Sequence, residues 1–240
     1  MNEAESASKP EEPEIFARSA LIGAIVPRGI ATAEVRGPAT VPSVFPEEEV
    51  LLGKAVEKRR REFALGRACA RRALAELGFS PVAIPIGARR EPLWPEGVVG
   101  SITHCDGYCA AALGRREQFA GIGIDAEIHA GLPQGVLGEV ALGDERRWIE
   151  ERKTSGVSWD RLLFSAKESI YKAWFPIARS WLGFKDVRIT FDPDRGAFCG
   201  ALLATGLPAR GGTIERIEGR YLFTEDLLIT AAFLNAPLDA

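Results

Sequence analysis

The chain has 240 residues, of which 46% are hydrophobic, so it can form one large or two small domains with a sizeable core. Its net charge of −3 and its pI of about 5.6 exclude a protein that binds nucleic acid through its overall charge. The sequence shows no signal peptide, no apolar run long enough to cross a bilayer and no CxxC pair among its four cysteines, which predicts a reduced protein of the cytoplasm with no membrane partner.

The first predicted elements lie close to the N-terminus. Residues 1–14 are rich in Glu, Ser and Pro and have almost no large apolar side chains, which predicts a disordered tail. The apolar stretch 19–26 predicts a strand, and three prolines over 36–46 predict a loop. Pro46, followed by three glutamates, is typical of a helix start.

A long basic helix is predicted over 47–77. The basic side chains toward its C-terminal end include Lys58, Arg59, Arg60, Arg61, Arg67, Arg71 and Arg72. Three of the arginines recur on one face, and two interpretations of that face are open: a solvated basic surface, or a clamp for phosphate, which guanidinium geometry suits. Docking on nucleic acid is disfavoured, because Phe63 is the only aromatic side chain in this segment.

The next segment predicts a loop and then a pair of strands. Arg89 lies in the predicted loop 87–97, which contains two prolines. A strand is predicted over 98–103 and its hairpin partner over 108–113, with His104 in the connection. A lone histidine is more often structural than catalytic, and no Ser-His-Asp arrangement accompanies this one.

The segment 121–127 alternates with a period of two and predicts a strand. Asp125 and Glu127 lie on one face of it, together with Gly123. Two carboxylates in this position repel each other unless a cation or the solvent separates them. Taken alone, the pattern also fits a strand end that runs into water.

A helix is predicted over 158–175, because apolar residues recur at three- and four-residue steps and Pro176 follows. Glu168 and Lys172 are four residues apart, so they lie one turn apart on another face, where a surface ion pair is the simplest interpretation. Combined with the two carboxylates of the preceding strand, Glu168 supplies a third oxygen anion. Three carboxylates suit Mg²⁺, with positions left for phosphate oxygens, and Lys172 would supply a counter-charge.

The remaining sequence adds one helix and several strands. A loop over 130–138 precedes a predicted helix over 144–153. The predicted strands of the C-terminal part are 187–191, 198–204, 213–223 and 227–234. Helix followed by strands therefore occurs in both halves of the chain, which predicts an α+β fold.

Three motifs in order carry a resemblance to a known family. They are Gly-Ile-Asp-Ala-Glu at 123–127, Phe-Ser-Ala-Lys-Glu-Ser-Ile-Tyr-Lys at 164–172 and, upstream, Gly-Ser-Ile-Thr-His-Cys at 100–105. Together they resemble the 4'-phosphopantetheinyl transferases of the Sfp/EntD type, and the residues within the motifs are similar to those of the actinobacterial branch. The resemblance covers roughly residues 45–235.

The resemblance implies an architecture and an activity. The fold would be α+β, with two similar halves related by a pseudo-twofold, each a small, mostly antiparallel sheet packed by a long helix, and the active site in the cleft between them. We place the halves at 15–118 and 119–240. The enzyme would move the 4'-phosphopantetheine arm of coenzyme A to a serine of an apo acyl or peptidyl carrier protein, with Mg²⁺ as cofactor and 3',5'-ADP as product, and it would act as a monomer.

The resemblance also implies a role for each candidate side chain. Asp125, Glu127 and Glu168 would hold the metal, Glu168 or a water bound to it would take the serine proton, and Lys172 would stabilise the phosphates. The other residues implied in coenzyme A binding are Arg59, Arg67, Arg89, Thr103, His104 and Lys167.

Two other classes of protein fit the same residues. A Mg²⁺-dependent nuclease would use the three carboxylates on a nucleic acid backbone and would show a steep salt dependence. A non-catalytic nucleotide-binding module would bind its ligand without Mg²⁺. The sequence leaves open which carrier proteins are modified and whether acyl-coenzyme A is accepted.

Overall fold

The computed structural model describes residues 21–203, 207–209 and 212–236. Its helices are α1 (Ile22–Ile25), α2 (Pro46–Leu52), α3 (Glu57–Glu76), α4 (Val136–Val140), α5 (Gly143–Glu150) and α6 (Trp159–Ala178), with a 3₁₀ turn at Phe184–Asp186. Its strands are β1 (Ala31–Arg36), β2 (Val98–Cys105), β3 (Tyr108–Arg115), β4 (Phe119–Ile128), β5 (Val187–Asp192), β6 (Ala197–Leu202), β7 (Leu207–Ala209), β8 (Gly212–Ile214), β9 (Arg216–Phe223) and β10 (Leu227–Asn235).

The strands form two main antiparallel sheets, each covered by one long helix. The first has the order β1-β3-β2 and the second the order β4-β10-β9-β6-β5, while β7 and β8 pair with each other. The apolar face of α3 packs on the first sheet, with Leu65 and Leu74 against Ala111 and Leu113. The apolar face of α6 packs on the second sheet in the same way. This arrangement confirms the predicted α+β fold of two similar halves.

Strand β4 joins the two halves. Its side chains Ile122, Ile124 and Ala126 lie in one apolar cluster with Val99 of β2 and Tyr108 of β3. Its other face lies against α6. The predicted alternation over 121–127 is therefore confirmed, but both faces are buried as far as Ala126, and the last two residues of the strand, Glu127 and Ile128, reach the solvent.

Several predicted elements were wrong in type or extent. The predicted strand 19–26 is helical over Ile22–Ile25, where the buried carboxylate of Glu34 accepts the N–H groups of Leu21 and Ile22 at 3.2 and 3.0 Å and so caps the turn. Residues 19 and 20, and the tail predicted over 1–14, lie outside the described residues.

The single helix predicted over 47–77 is two helices. The chain breaks after Leu52 at Gly53, which has a positive φ of 45°, a conformation that glycine adopts readily. Helix α6 extends further than predicted and contains Pro176. Proline removes one backbone donor, and the helix closes three residues later, where the N–H of Arg179 donates to the Phe175 carbonyl oxygen at 2.9 Å.

Three smaller corrections concern the strands. His104 lies inside β2 and pairs with Cys109, and does not belong to the connection. The strand predicted over 213–223 is interrupted at Glu215, between β8 and β9. The strand predicted over 198–204 ends at Leu202.

Candidate active site

The site begins where β4 touches α6. A side chain on Gly123 would collide with the backbone oxygen of Ser169, and one on Gly121 with that of Ala173. Only glycine allows this backbone approach. As a result, the strand position that carries Asp125 lies directly beside the helix position that carries Lys172.

Asp125 is 6% exposed and has one satisfied and one unsatisfied oxygen. Its Oδ1 accepts from Lys172 Nζ at 2.7 Å and lies 3.4 Å from the hydroxyl of Thr103, and Lys172 also donates to the Ile124 carbonyl oxygen at 3.0 Å. The Thr103 hydroxyl oxygen in turn accepts the N–H of Ala126 at 3.0 Å. Asp125 Oδ2 is buried with no hydrogen-bond partner among the described residues, a costly state for a carboxylate oxygen.

Glu127 is held by an arginine that the sequence did not single out. Arg161, in the first turn of α6, donates from Nη1 to Glu127 Oε2 at 2.8 Å. Its Nε and Nη2 donate to the carbonyl oxygens of Ala130 and Gly131 at 3.1 and 3.0 Å. Burial and the charge of Asp125 raise the pKa of Glu127, and Arg161 opposes that rise.

Glu168 lies on the α6 face that lines the cleft between the halves. A cavity of about 230 Å³ is bounded on one side by Glu168, Tyr171 and Lys172 of α6, and on the other by Ser101 of β2 and Arg89 of the preceding loop. Burial raises the pKa of Glu168, with smaller contributions from the charges of Asp125 and Glu127, while Lys172 lowers it. A carboxylate with a raised pKa is suited to accept a proton.

The carboxylates of the cleft are the candidate ligands for a metal ion. Among the described residues, no group of three or more His, Cys, Asp or Glu side chains is arranged to hold one. The chemistry of the donors nevertheless fits Mg²⁺, because carboxylate oxygens are its preferred protein ligands and Asp125 Oδ2 is buried and unpaired. In the arrangement described, Lys172 and Arg161 neutralise two of the three carboxylates.

A second cluster combines α3 with the end of β2. Arg59 Nη1 lies 3.0 Å from His104 Nε2, and Glu62 Oε2 lies 3.6 Å from Arg59 and 3.7 Å from His104. An arginine can only donate, so His104 accepts at Nε2 and is neutral in this contact. Burial lowers the pKa of His104, with the charge of Glu62 acting against this.

The structure does not bring Arg67 or Lys167 to the cleft. Arg67 is 5% exposed, donates from Nε to the Ile84 carbonyl oxygen at 2.8 Å and lies over the Phe63 ring. Burial lowers its pKa to about 10. Lys167 is buried on another face of α6, where its Nζ donates to Glu145 at 2.8 Å and to two backbone oxygens. The phosphate contacts expected of these two side chains stay predictions, and Lys167 also lines a second cavity together with Glu168 and Tyr171.

The chain is similar to several known proteins along most of its length. Residues 47–114 match the 4'-phosphopantetheinyl transferase N-terminal domain, and residues 121–214 match the 4'-phosphopantetheinyl transferase superfamily. The chain is 48% identical over 219 residues to 4'-phosphopantetheinyl transferase Npt of Nocardia iowensis, covering 88% of this chain and 98% of that protein. It is 41% identical over 220 residues to 4'-phosphopantetheinyl transferase PptT of Mycobacterium tuberculosis, covering 90% and 97%. It is 36% identical over 156 residues to enterobactin synthase component D of Salmonella typhi, covering 62% and 64%.

The fold and the cleft define an α+β protein of two similar halves with acidic and basic side chains between them. The chain belongs to the 4'-phosphopantetheinyl transferase superfamily. It is therefore a transferase that moves a phosphopantetheine group to carrier proteins, and the resemblance to the Sfp/EntD type is confirmed. This result favours the transferase over the nuclease and over the nucleotide-binding module.

No helix in the described ranges has the length and apolar character that crossing a membrane requires.

Proposed function

We propose that the chain transfers the 4'-phosphopantetheine arm from coenzyme A to a carrier-protein serine by direct displacement, with Mg²⁺ bound by Asp125, Glu127 and Glu168. The observation that carries this proposal is the buried, unpaired Asp125 Oδ2 beside Lys172 and the Glu168 cleft. When bound, Mg²⁺ neutralises charge on the pyrophosphate.

The chemistry then follows from the side chains of the cleft. The serine oxygen forms a bond to the β-phosphorus of coenzyme A, and the bond from that phosphorus to the bridging oxygen breaks, so that 3',5'-ADP leaves. The serine proton passes to Glu168, or to a water that Glu168 holds, which its raised pKa favours. Lys172 stays beside the phosphates as a counter-charge.

The adenosine end of coenzyme A is proposed to lie at the second cluster. Arg59, Thr103 and His104 would hold its 3'-phosphate and neighbouring groups, with the exposed Arg89 at the mouth of the cleft. Thr103 precedes His104 in β2, and its hydroxyl contacts Asp125, which links the proposed nucleotide end to the proposed metal ligands. We also expect a monomer that acts in the cytoplasm, where the four free cysteines of the chain stay reduced.

The test is to incubate the protein with coenzyme A, Mg²⁺ and an apo carrier protein and to measure the carrier mass. We expect an increase equal to one phosphopantetheine arm, lost when Mg²⁺ is chelated and when the carrier serine is replaced by alanine. No mass increase with any acyl or peptidyl carrier would contradict the proposal. Mg²⁺-dependent cleavage of DNA or RNA under the same conditions would support the nuclease instead.

The metal ligands are tested separately from turnover. Asp125→Ala and Glu127→Ala should bind Mn²⁺ more weakly, measured by electron paramagnetic resonance, and should lose activity at ordinary Mg²⁺. Wild-type Mn²⁺ affinity in both variants would contradict the metal assignment. Asp226→Ala is a matched control, because this exposed aspartate pairs with Arg36 outside the cleft.

A further inference from the structure

Arg161 uses all three nitrogens of its guanidinium group within the fold. Nη1 donates to Glu127 Oε2 at 2.8 Å, while Nε and Nη2 donate to the carbonyl oxygens of Ala130 and Gly131 at 3.1 and 3.0 Å. The side chains of Arg161 and Glu127 are 19% and 23% exposed, so the pair is better protected from solvent than an ordinary surface ion pair. The rigid fork of an arginine makes these three bonds together, which a lysine cannot do. Arg161 therefore fixes Glu127 Oε2 relative to the segment 129–132 that follows β4.

Arg161, Glu168 and Lys172 lie on one face of α6, because steps of seven and four residues bring a helix back to the same side. Arg161 and Lys172 are separated by about 16 Å along the helix axis. Asp125 and Glu127, two residues apart on one face of β4, are separated by only about 7 Å. The two cations therefore reach the carboxylate pair from opposite ends, and Glu168 lies between them on the helix.

Each strand carboxylate has one oxygen in an ion pair and one oxygen without a partner. Lys172 Nζ donates to Asp125 Oδ1 at 2.7 Å, whereas Asp125 Oδ2 has no hydrogen-bond partner among the described residues. Arg161 holds Glu127 Oε2, and the described part of the chain supplies no donor to Oε1. While these ion pairs last, neither carboxylate can offer both of its oxygens to a cation.

This restriction affects Mg²⁺ and Ca²⁺ differently. Mg²⁺ demands an octahedral shell, keeps several waters and binds through one or two carboxylates plus substrate phosphates. Ca²⁺ takes roughly six to eight oxygens and accepts carboxylates that bind through both oxygens. A site with one oxygen from each strand carboxylate leaves positions for water and phosphate, but it supplies few of the oxygens that Ca²⁺ requires.

We propose that Arg161 is a positioning residue that selects Mg²⁺ over Ca²⁺, because it keeps Glu127 a ligand with a single available oxygen. It holds Oε2 and leaves Oε1 for the metal, and its contacts with the segment 129–132 prevent the carboxylate from turning. Lys172 restricts Asp125 in the same way, but it is also the proposed counter-charge for the phosphates, so Arg161 is the residue in which selection can be tested alone. This inference rests on the proposed function, because it assumes that Asp125, Glu127 and Glu168 bind the metal.

The first experiment measures the cation preference without turnover. Protein in excess over coenzyme A is loaded with Mn²⁺ in the absence of a carrier, and the electron paramagnetic resonance signal of released Mn²⁺ reports displacement by Mg²⁺ or Ca²⁺. Wild type should require less Mg²⁺ than Ca²⁺ for half displacement. In Arg161→Met this preference should fall roughly tenfold or more, the size of effect typical of removing a group that orients a metal ligand. An unchanged preference would overturn the proposal.

Two further variants separate cation selection from a purely structural role. Asp160 holds the same segment by accepting the N–H of Leu132 at 2.8 Å, and among the described residues no hydrogen bond or ion pair joins it to Glu127. Asp160→Ala should lower the melting temperature and keep the wild-type preference. Arg161→Lys keeps a cation for Glu127 but loses the carbonyl contacts, so it should melt lower and retain most of the preference. Equal loss of preference in Asp160→Ala and Arg161→Met would show that Arg161 acts only through the segment 129–132.

A measurement on wild type decides the matter if Arg161→Met does not fold. A crystal structure with coenzyme A and Mg²⁺ should show one oxygen of Glu127 about 2.1 Å from the metal, or joined to it through one water. Arg161 should remain on the other oxygen. Two Glu127 oxygens on the metal, or release of Oε2 by Arg161, would overturn the proposal.

The outcomes distinguish this inference from the proposed function. If Asp125→Ala binds Mn²⁺ as tightly as wild type, the proposed metal site itself is wrong. If Asp125→Ala loses Mn²⁺ and Arg161→Met keeps the wild-type preference, the metal site stands and the selection of Mg²⁺ has another origin.

Discussion

Glu168 is a half-buried carboxylate whose charge is opposed by its surroundings. Burial raises its pKa, and the neighbouring charges of Asp125 and Glu127 raise it further. A group with a raised carboxyl pKa destabilises the folded state while it is ionised, so its contribution improves as pH falls through the folded pKa. Such a residue is maintained at a cost to stability, as expected for a side chain with a chemical task.

Glu168→Gln should therefore separate stability from activity. At about pH 7.5 and without Mg²⁺, the melting temperature of Glu168→Gln should equal or exceed that of wild type, because the substitution removes a charge that burial disfavours. Turnover should fall by roughly a hundredfold or more, as expected for loss of a base or metal ligand. If turnover survives and only the Michaelis constant for coenzyme A rises, Glu168 is a binding residue and the base is another group.

Arg59 is the arginine we expect to recognise the 3'-phosphate. Wild type should prefer coenzyme A over dephospho-coenzyme A, and Arg59→Ala should reduce this preference roughly tenfold, a typical effect of losing a charge-assisted contact. Arg60→Ala is the matched control, because Arg60 pairs with Glu49 of α2. Arg67→Ala should weaken both ligands equally and lower the melting temperature, since Arg67 is buried. A selective loss of coenzyme A in Arg67→Ala would restore it as a phosphate contact.

His104 should make coenzyme A binding depend on pH. Burial holds the pKa of His104 below its ordinary value, so the free protein has a neutral imidazole near pH 7. A bound phosphate brings negative charge and raises that pKa, so binding takes up a proton and tightens as pH falls from about 8 towards about 6. Calorimetry in buffers of different ionisation enthalpy measures the proton uptake, which should disappear in His104→Gln. Equal uptake in both proteins would assign the proton to another group.

At the scale of elements, the contact of β4 with α6 depends on glycine. Gly123→Ala should force the strand away from the Ser169 carbonyl oxygen and so separate Asp125 from Lys172. We expect a lower melting temperature and a large loss of transfer activity. Gly138→Ala in α4 is the matched control, because no atom lies within 4 Å of the added carbon. Wild-type stability in Gly123→Ala would show that the strand can shift without cost.

The sequence predicted those elements whose pattern is local. The alternation of β4 and the apolar repeat of α6 were sufficient, because each pattern repeats within a few neighbouring residues. The break after Leu52 was missed, since the flanking segments have strong helical patterns and one glycine decides the outcome. The strand predicted at the N-terminus was wrong over Ile22–Ile25, because its cap comes from a carboxylate in another element.

The site likewise contains residues that a local pattern predicts and residues that only the fold brings together. The three carboxylates and Lys172 came from motifs, whereas the Arg161–Glu127 pair joins residues 34 positions apart and has no local pattern. The contacts of Lys167 have no local pattern either. Its helical position turns it toward Glu145 of α5, and only the packing of that helix shows that all its donors are used in the core.

At the scale of the whole molecule, the two halves share a core. Ile122 and Ile124 of β4 pack with Ile22 and Val99 from before residue 119, so dividing the chain at our proposed boundary would expose them. We expect fragments 1–118 and 119–240, expressed separately, to be poorly folded by circular dichroism and to aggregate. Their co-expression should restore some soluble complex. A cooperative thermal transition in either fragment alone would show that the halves are independent domains.

The pairing of β4 with β10 also sets the order in which the site can be made. Asp125 lies opposite Thr230, and Phe119 opposite Asn235, so β4 has no ladder partner until about one hundred further residues have been synthesised. During translation the first sheet can form before β10, the ladder partner of β4, has been synthesised. The backbone N–H and C=O groups that β4 later pairs with β10 therefore stay without that partner for several seconds at ordinary elongation rates, and an unpaired strand edge favours aggregation.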